Sequence, residues 1–231
     1  MKLVIGNQTY SSWSMRPWLF MVYHDLEAEI EKLSLNHLQL IQKRFTHGKV
    51  PVLIDGLLEI WDSLAILEYL SETYPDTQGW PEEVNARAVA RSVSAEMHSS
   101  FQALRSGLPM NCRKFFPEYQ LSNKVMKDVK RIQQIWNFCR ERYAATGPWL
   151  FGRFGIADSM YAPVVMRFLS INIELDLVSQ EYCHTVCQCD AVKRWLAEAF
   201  QETEIVSEDE LHHPSISLLD QKFGAQNNIH R

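Results

Sequence analysis

The chain has 231 residues, 46% hydrophobic and 22% charged, with a formal net charge of −5, enough for a sizeable core and for one large or two small domains. Scattered Lys and Arg in an acidic chain argue against a nucleic-acid partner, which demands a basic face. No apolar run nears the ~18 residues of a membrane span, and Met1-Lys2-Leu3-Val4-Ile5-Gly6 meets polar Asn7-Gln8-Thr9 too early for a signal peptide. The five cysteines, an odd number, fit reduced thiols in a cytoplasmic protein better than a disulfide framework.

Leu3-Val4-Ile5 reads as a first strand and Tyr10-Ser11-Ser12-Trp13-Ser14-Met15-Arg16-Pro17-Trp18 as a hydroxyl-rich turn entering a helix. A helix that starts there points unsatisfied N–H groups and the positive end of its dipole into the turn, a place for an anion. A thiolate and a phosphate would both suit that geometry. The helix is expected from Met15 to about His24, with Pro17 in its first turn. Ile30-Glu31-Lys32-Leu33-Ser34-Leu35 alternates apolar and polar residues and completes a βαβ unit with parallel strands. Residues 36–48 suggest an irregular helix or loop at the sheet edge.

Val52-Leu53-Ile54 and Leu57-Leu58-Glu59-Ile60 flank Asp55-Gly56, a strong hairpin signal. Pro51 stands at the entry of the third strand; if the Val50-Pro51 bond is cis, the backbone of Val50 faces the serine turn. Asp62 and Ser63 open a helix and read first as a cap. Tyr74-Pro75-Asp76-Thr77-Gln78-Gly79-Trp80-Pro81 is dense in turn formers. Beyond Glu83 helical patterns follow: Val84 to about Leu108, Leu121 to Ala145, Ile156 to about Ile173, and Cys183 to about Phe200.

The serine turn, Val50-Pro51, Asp62-Ser63 and the helical second half, in that order, resemble the cytosolic glutathione transferase family over about residues 1–205. Ser11-Ser12-Trp13-Ser14-Met15-Arg16 is similar to the zeta class motif, and Phe154-Gly155-Ile156-Ala157-Asp158 to the family's capping box and buried aspartate. The resemblance implies an α/β thioredoxin-like N-terminal domain followed by an all-α domain: glutathione-binding residues 1–75, a linker 76–82, and a helical domain 83–231 that carries the electrophile pocket. It implies glutathione as co-substrate, a small electrophile as second substrate, no metal, and a homodimer.

Carried over residue by residue, Ser11 would donate its hydroxyl to the glutathione sulfur, with Ser12 the neighbouring candidate and Trp13 beside them. Val50 would pair its backbone with the cysteinyl part. Asp62 and Ser63 would hold the γ-glutamyl group, and Gln102 and Arg105 would line the substrate pocket. Trp13 replaces the zeta cysteine, so chemistry needing a protein thiol is not expected. Trp18 replaces the second zeta arginine, which weakens the case for a dicarboxylate such as maleylacetoacetate, while zeta-type isomerisation stays open beside conjugation. Gly155 stands where the box has Ser or Thr, so the reciprocal hydroxyl is lost. A non-catalytic interaction module on the same fold is the alternative.

Cys183-His184, Cys187 and Cys189 crowd four soft ligands together, but only Cys183 and Cys187 share a helical face, and ordinary cysteines are the better reading than a metal site. His212-His213-Pro214 reads as a loop. The tail from Leu211 to Arg231 has no motif, and two placements stay open for it, over the cleft or free. No glycine-rich phosphate loop follows a strand, which disfavours a nucleotide enzyme and a phosphate at the serine turn.

Overall fold

The computed structural model describes residues 1–222. Strands β1 (Lys2–Ile5), β2 (Glu29–Lys32), β3 (Val52–Asp55) and β4 (Leu58–Ile60) form one mixed sheet in the order β2-β1-β3-β4. β1 and β2 are parallel, Leu3 beside Ile30, as the right-handed crossover rule predicts for strand, helix, strand. β3 runs antiparallel to β1, and β4 to β3. Asp55 pairs with Leu58 across the tight turn, where Gly56 takes a φ of +60 that other residues resist.

Side chains alternate across β1 with the period of two that strands impose. Leu3 and Ile5 join the large core; Val4 faces the other way and meets Val52, Ile41 and Phe45, the last two supplied by and after α2 (Leu38–Arg44). The irregular helix expected over 36–48 is thus a 3-10 turn at Leu35–His37 leading into α2.

On the large-core face lie α1 (Ser12–Tyr23) and α3 (Ser63–Thr73). α1 begins earlier than the expected Met15, so Pro17 lies beyond the first turn and its missing N–H leaves the Trp13 carbonyl without a helical partner. Trp18 is buried and meets Trp195 edge to face, ring centroids 5.1 Å apart. Position 18 therefore serves packing and carries no charge.

After a 3-10 turn at Pro75–Thr77 come α4 (Val84–Ser99), α5 (Gln102–Gly107), α6 (Asn123–Tyr143), α7 (Ile156–Leu169), α8 (Leu177–Gln188) and α9 (Asp190–Gln201). Two expected long helices are broken. Val84 to Leu108 splits at Phe101, a buried residue at φ +62; Cys183 to Phe200 splits at Cys189, whose ψ of 126 leaves the helical region. The second half also holds a short ladder, β5 (Lys114–Phe115) with β6 (Ile216–Ser217), followed by α10 (Leu218–Lys222). The tail's described part therefore packs against Lys114 and Phe115 rather than over the cleft, and 223–231 lies outside the described residues.

α7 is the spine of the helical half, buried along nearly its whole length and packed against α1 and α4. At its start the Asp158 carboxylate accepts the N–H of Leu150 at 3.1 Å and of Gly155 at 3.0 Å, and the Tyr182 hydroxyl at 3.1 Å. Gly155 itself has a steric reason: a Cβ there would stand 2.7 Å from the Gly79 carbonyl oxygen. Among the described residues no helix is long and apolar enough to cross a membrane.

Candidate active site

Between the sheet edge and the helical half opens a cavity of about 710 Å³. Seven of the residues singled out by sequence line it: Ser11, Ser12, Trp13, Val50, Asp62, Ser63 and Arg105. Gln102 does not. It is exposed on the first turn of α5 and outside the lining, because the break at Phe101 reorients the helix that was to carry it.

The serine turn is built from below. Ser14, fully buried, accepts the Gly6 N–H at 3.0 Å, and its oxygen lies 2.7 Å from Ser11 Oγ. Ser11 is the N-cap of α1 but makes no side-chain cap to it. In the structure the Ser11 hydroxyl donates to Ser14 Oγ; a hydroxyl hydrogen rotates to suit its partners, so when Ser14 donates to Ser11 instead, the Ser11 hydrogen is free to point into the cavity. Ser12 Oγ takes a long contact, 3.4 Å, from Arg167 Nη2.

The opposite wall starts at α3. The Val50–Pro51 and Trp61–Asp62 bonds are both cis. Asp62 caps α3 by accepting the Leu64 N–H at 2.8 Å, and its second oxygen lies 3.2 Å from His98 Nε2. The cap reading and the cavity position are both realised in one carboxylate. Ser63 is buried and accepts Arg16 Nη1 at 3.2 Å.

Three arginines crowd this site. The Arg16 and Arg105 guanidinium carbons lie 4.2 and 4.8 Å from the centre of the Trp13 ring. Arg105 also turns back to the carbonyls of Met97 and His98, so it caps the end of α4 exposed by the break at Phe101. Arg167, on α7, donates to the Leu108 and Pro163 carbonyls at 3.0 Å each. Burial, then repulsion from Arg105 and Arg167, lowers Arg16 to about 9; burial and repulsion from Arg105 lower Arg167 to about 10. Burial likewise holds His98 below its ordinary value, with Asp62 opposing and the arginines assisting.

Residues 7–72 match the family model described as Glutathione S-transferase, N-terminal domain. Curated proteins similar to the chain include "Glutathione S-transferase zeta class" of Euphorbia esula, 31% identical over 117 residues, 49% of this chain and 48% of that protein. "Probable maleylacetoacetate isomerase" of Caenorhabditis elegans is 35% identical over 97 residues, 41% of this chain and 45% of that protein. The chain thus spans about half the length of these curated relatives. Among solved structures, a glutathione transferase homolog from Burkholderia gl BGR1 with bound glutathione superposes at TM-score 0.65 and 20% identity, covering 86% of this chain and 96% of that one. A holo maleyl pyruvate isomerase, described as a bacterial glutathione-s-transferase in zeta class, gives 0.65 at 17% identity over 89% and 100%. These likenesses establish the glutathione transferase fold, α/β followed by helices.

Sequence reading missed Ser14, His98, Arg167 and Asp209, of which the last three line the cavity. Arg167 alone left a signal: it is the single charge in the otherwise apolar run from Ser159 to Leu169, and a buried cation is rare unless it is paired or used. The cysteines of α8 line a different cavity, of about 690 Å³, and burial pushes the Cys187 thiol up to about 12.

Proposed function

We propose that the protein is a glutathione-dependent transferase that ionises the thiol of glutathione beside Ser11 and directs it at a small electrophile, by conjugation or by zeta-type isomerisation. The convergence of Ser11, Val50, Asp62 and Ser63 on one cavity supports this reading most directly. In it, Asp62 receives the γ-glutamyl ammonium and Ser63, backed by Arg16, the adjoining carboxylate. Val50 pairs its backbone with the cysteinyl unit, which brings the sulfur toward the mouth of α1. Trp13 and Arg105 border the second substrate.

The energetics are sufficient. A free thiol has a pKa of about 8.5 and the thiolate is the nucleophile; lowering that value by about two units requires about 2.7 kcal/mol of preferential anion stabilisation. A hydroxyl bonded to a charge contributes about 1.5–3 kcal/mol and a helix N-terminus about 0.3–1. Ser11 acts as a donor and stays protonated. The same reading divides the chain into a glutathione domain, 1–75, and a helical electrophile domain, 83–231, in a cytoplasmic homodimer.

Retention on glutathione resin, with an ultraviolet thiolate band appearing on binding, tests the proposal. A protein that binds glutathione without the band, or that ignores the resin, refutes the transferase reading and fits the non-catalytic alternative.

A further inference from the structure

Residues 6–11 join β1 to α1 and belong to neither. Tyr10 and Ser11 donate their N–H groups to the Asn7 carbonyl at 3.2 and 2.8 Å, which curls the loop but leaves its tilt against the cavity open. The tilt is set from the helical half. Asn7 reaches Glu204, Gln8 and Thr9 reach Glu202, the Thr9 carbonyl accepts the Cys112 N–H at 3.0 Å, and the Tyr10 hydroxyl donates to Glu210.

Arg113, half-buried between α5 and α6, joins these contacts. Its guanidinium donates to the carbonyls of Glu202 and Glu204, the second at 2.8 Å, and to the Tyr10 hydroxyl at 3.1 Å. The guanidinium carbon also lies 5.8 Å from the centre of the Tyr10 ring, within cation–π range. Its own backbone is pinned, the N–H to Asn111 Oδ1 at 3.0 Å and the carbonyl to the Leu218 N–H at 2.8 Å.

Among the described residues Arg113 forms no ion pair within 4.0 Å. Its use is therefore directional: a planar fork serves three oxygens from two nitrogens, which a single ammonium does not reproduce. Tyr10, accepting from Arg113 and donating to Glu210, is fixed at its far end. Ser11 follows it directly in the chain.

We propose that Arg113, which lies outside the cavity lining, is a positioning residue: through Tyr10 it holds the serine loop at the tilt that aims the Ser11 hydroxyl at the glutathione sulfur. The inference rests on the transferase reading and adds to it a control point in the helical half. A hydrogen bond weakens steeply as its angle degrades, so a loosened tilt raises the pKa of the bound thiol. Below that pKa, each unit of rise cuts the thiolate fraction about 10-fold. The deficit is greatest in acid and vanishes as pH passes the new value.

Arg113→Lys keeps the charge and removes the fork; Tyr10→Phe removes only the hydroxyl at the other end of the contact. In each, the thiolate band and kcat are followed from about pH 5.5 to about pH 9, across the range in which the bound thiol should ionise. Glutathione affinity should stay within about 2-fold, the bound thiol should titrate about half to one unit higher, and kcat near pH 6 should fall about 3- to 10-fold and recover in alkali. The double variant should be little worse than the poorer single one, because both remove one contact. Should Arg113→Lys fail to fold, Tyr10→Phe decides alone. A lowered melting temperature with wild-type thiol titration, or a kcat deficit equal at every pH, overturns the positioning role and leaves the transferase reading standing. A wild-type protein that shows no thiolate band removes that reading and this role with it.

Discussion

Glu202, just past α9, accepts the backbone N–H of Gln8 at 2.8 Å across a separation of 194 residues. It takes the Thr9 N–H at 2.9 Å through its other oxygen and pairs with Lys32 at 2.9 Å. Glu204 adds Asn7 at 2.6 Å, and Glu210 adds Tyr10 at 2.5 Å. A strap from the far end of the helical half thus holds the loop immediately before Ser11.

Glu202→Gln should lower stability by about 1–3 kcal/mol, the usual loss when bonds to a charged, largely buried acceptor are weakened. Burial raises this carboxyl, but the bonds from Lys32, Thr9 and Gln8 together outweigh it and hold it below its ordinary value. A depressed carboxyl contributes stability above its unfolded pKa and loses it as pH falls through the folded one. Chemical denaturation from pH 7 down to 3 should therefore show the wild-type advantage shrinking below about pH 4.5; a constant gap rejects the strap as an ionised clamp.

Ser11→Ala should leave glutathione binding largely intact and cut turnover about 10- to 100-fold, the equivalent of one bond to an anion. Stopped-flow titration of the thiolate band should place the bound thiol nearer its free value. If Ser12→Ala alone has this effect, the role passes to Ser12.

Ser14→Ala removes the hydroxyl on which Ser11 rests and strands the buried Gly6 N–H. Stability should fall by about 1–3 kcal/mol, and kcat should drop in a variant that still binds glutathione. A variant with lowered melting temperature and wild-type kcat would leave Ser14 a purely structural role.

At the start of α7 the two halves of a cap pull against each other. Burial pushes Asp158 up to about 7, against the bonds from Leu150, Gly155 and Tyr182. A raised carboxyl contributes most at pH below its unfolded value and loses that contribution as pH rises through the folded one. Melting temperatures of the wild type and Asp158→Asn between pH 5 and 8 should converge with rising pH; divergence would mean that the hydrogen bonds dominate burial.

Gly155→Ser would supply the missing cap hydroxyl, yet its Cβ would press on the Gly79 carbonyl at 2.7 Å. Overpacking of this kind costs about 1–3 kcal/mol, more than a cap returns, so the substitution should lower the melting temperature. A rise would show that the segment at Gly79 yields.

Much of this was readable from local pattern. The apolar run of β1, Asp55-Gly56 and the Asp62 cap are each decided within a few residues, and the structure repeats them. The helix breaks were hidden because Phe101 and Cys189 are neither glycine nor proline: tertiary packing holds Phe101 at a positive φ that local preference disfavours. His98, Arg167 and Asp209 reach the cavity from three separate stretches of the helical half, and no short-range spacing relates them to Ser11. Gln102 failed for the same reason, since its place depended on a helix assumed to be continuous.

The strap gives the pocket a birth order. A chain growing from its N-terminus lays down Ser11 early, yet the acceptors for Asn7, Gln8, Thr9 and Tyr10 are Glu202, Glu204 and Glu210. During synthesis the serine loop must wait, its amides served by water, until the chain as far as Glu210 has left the ribosome. Nascent fragments that stop before Glu202 hold the hydroxyls and lack the anchors that aim them.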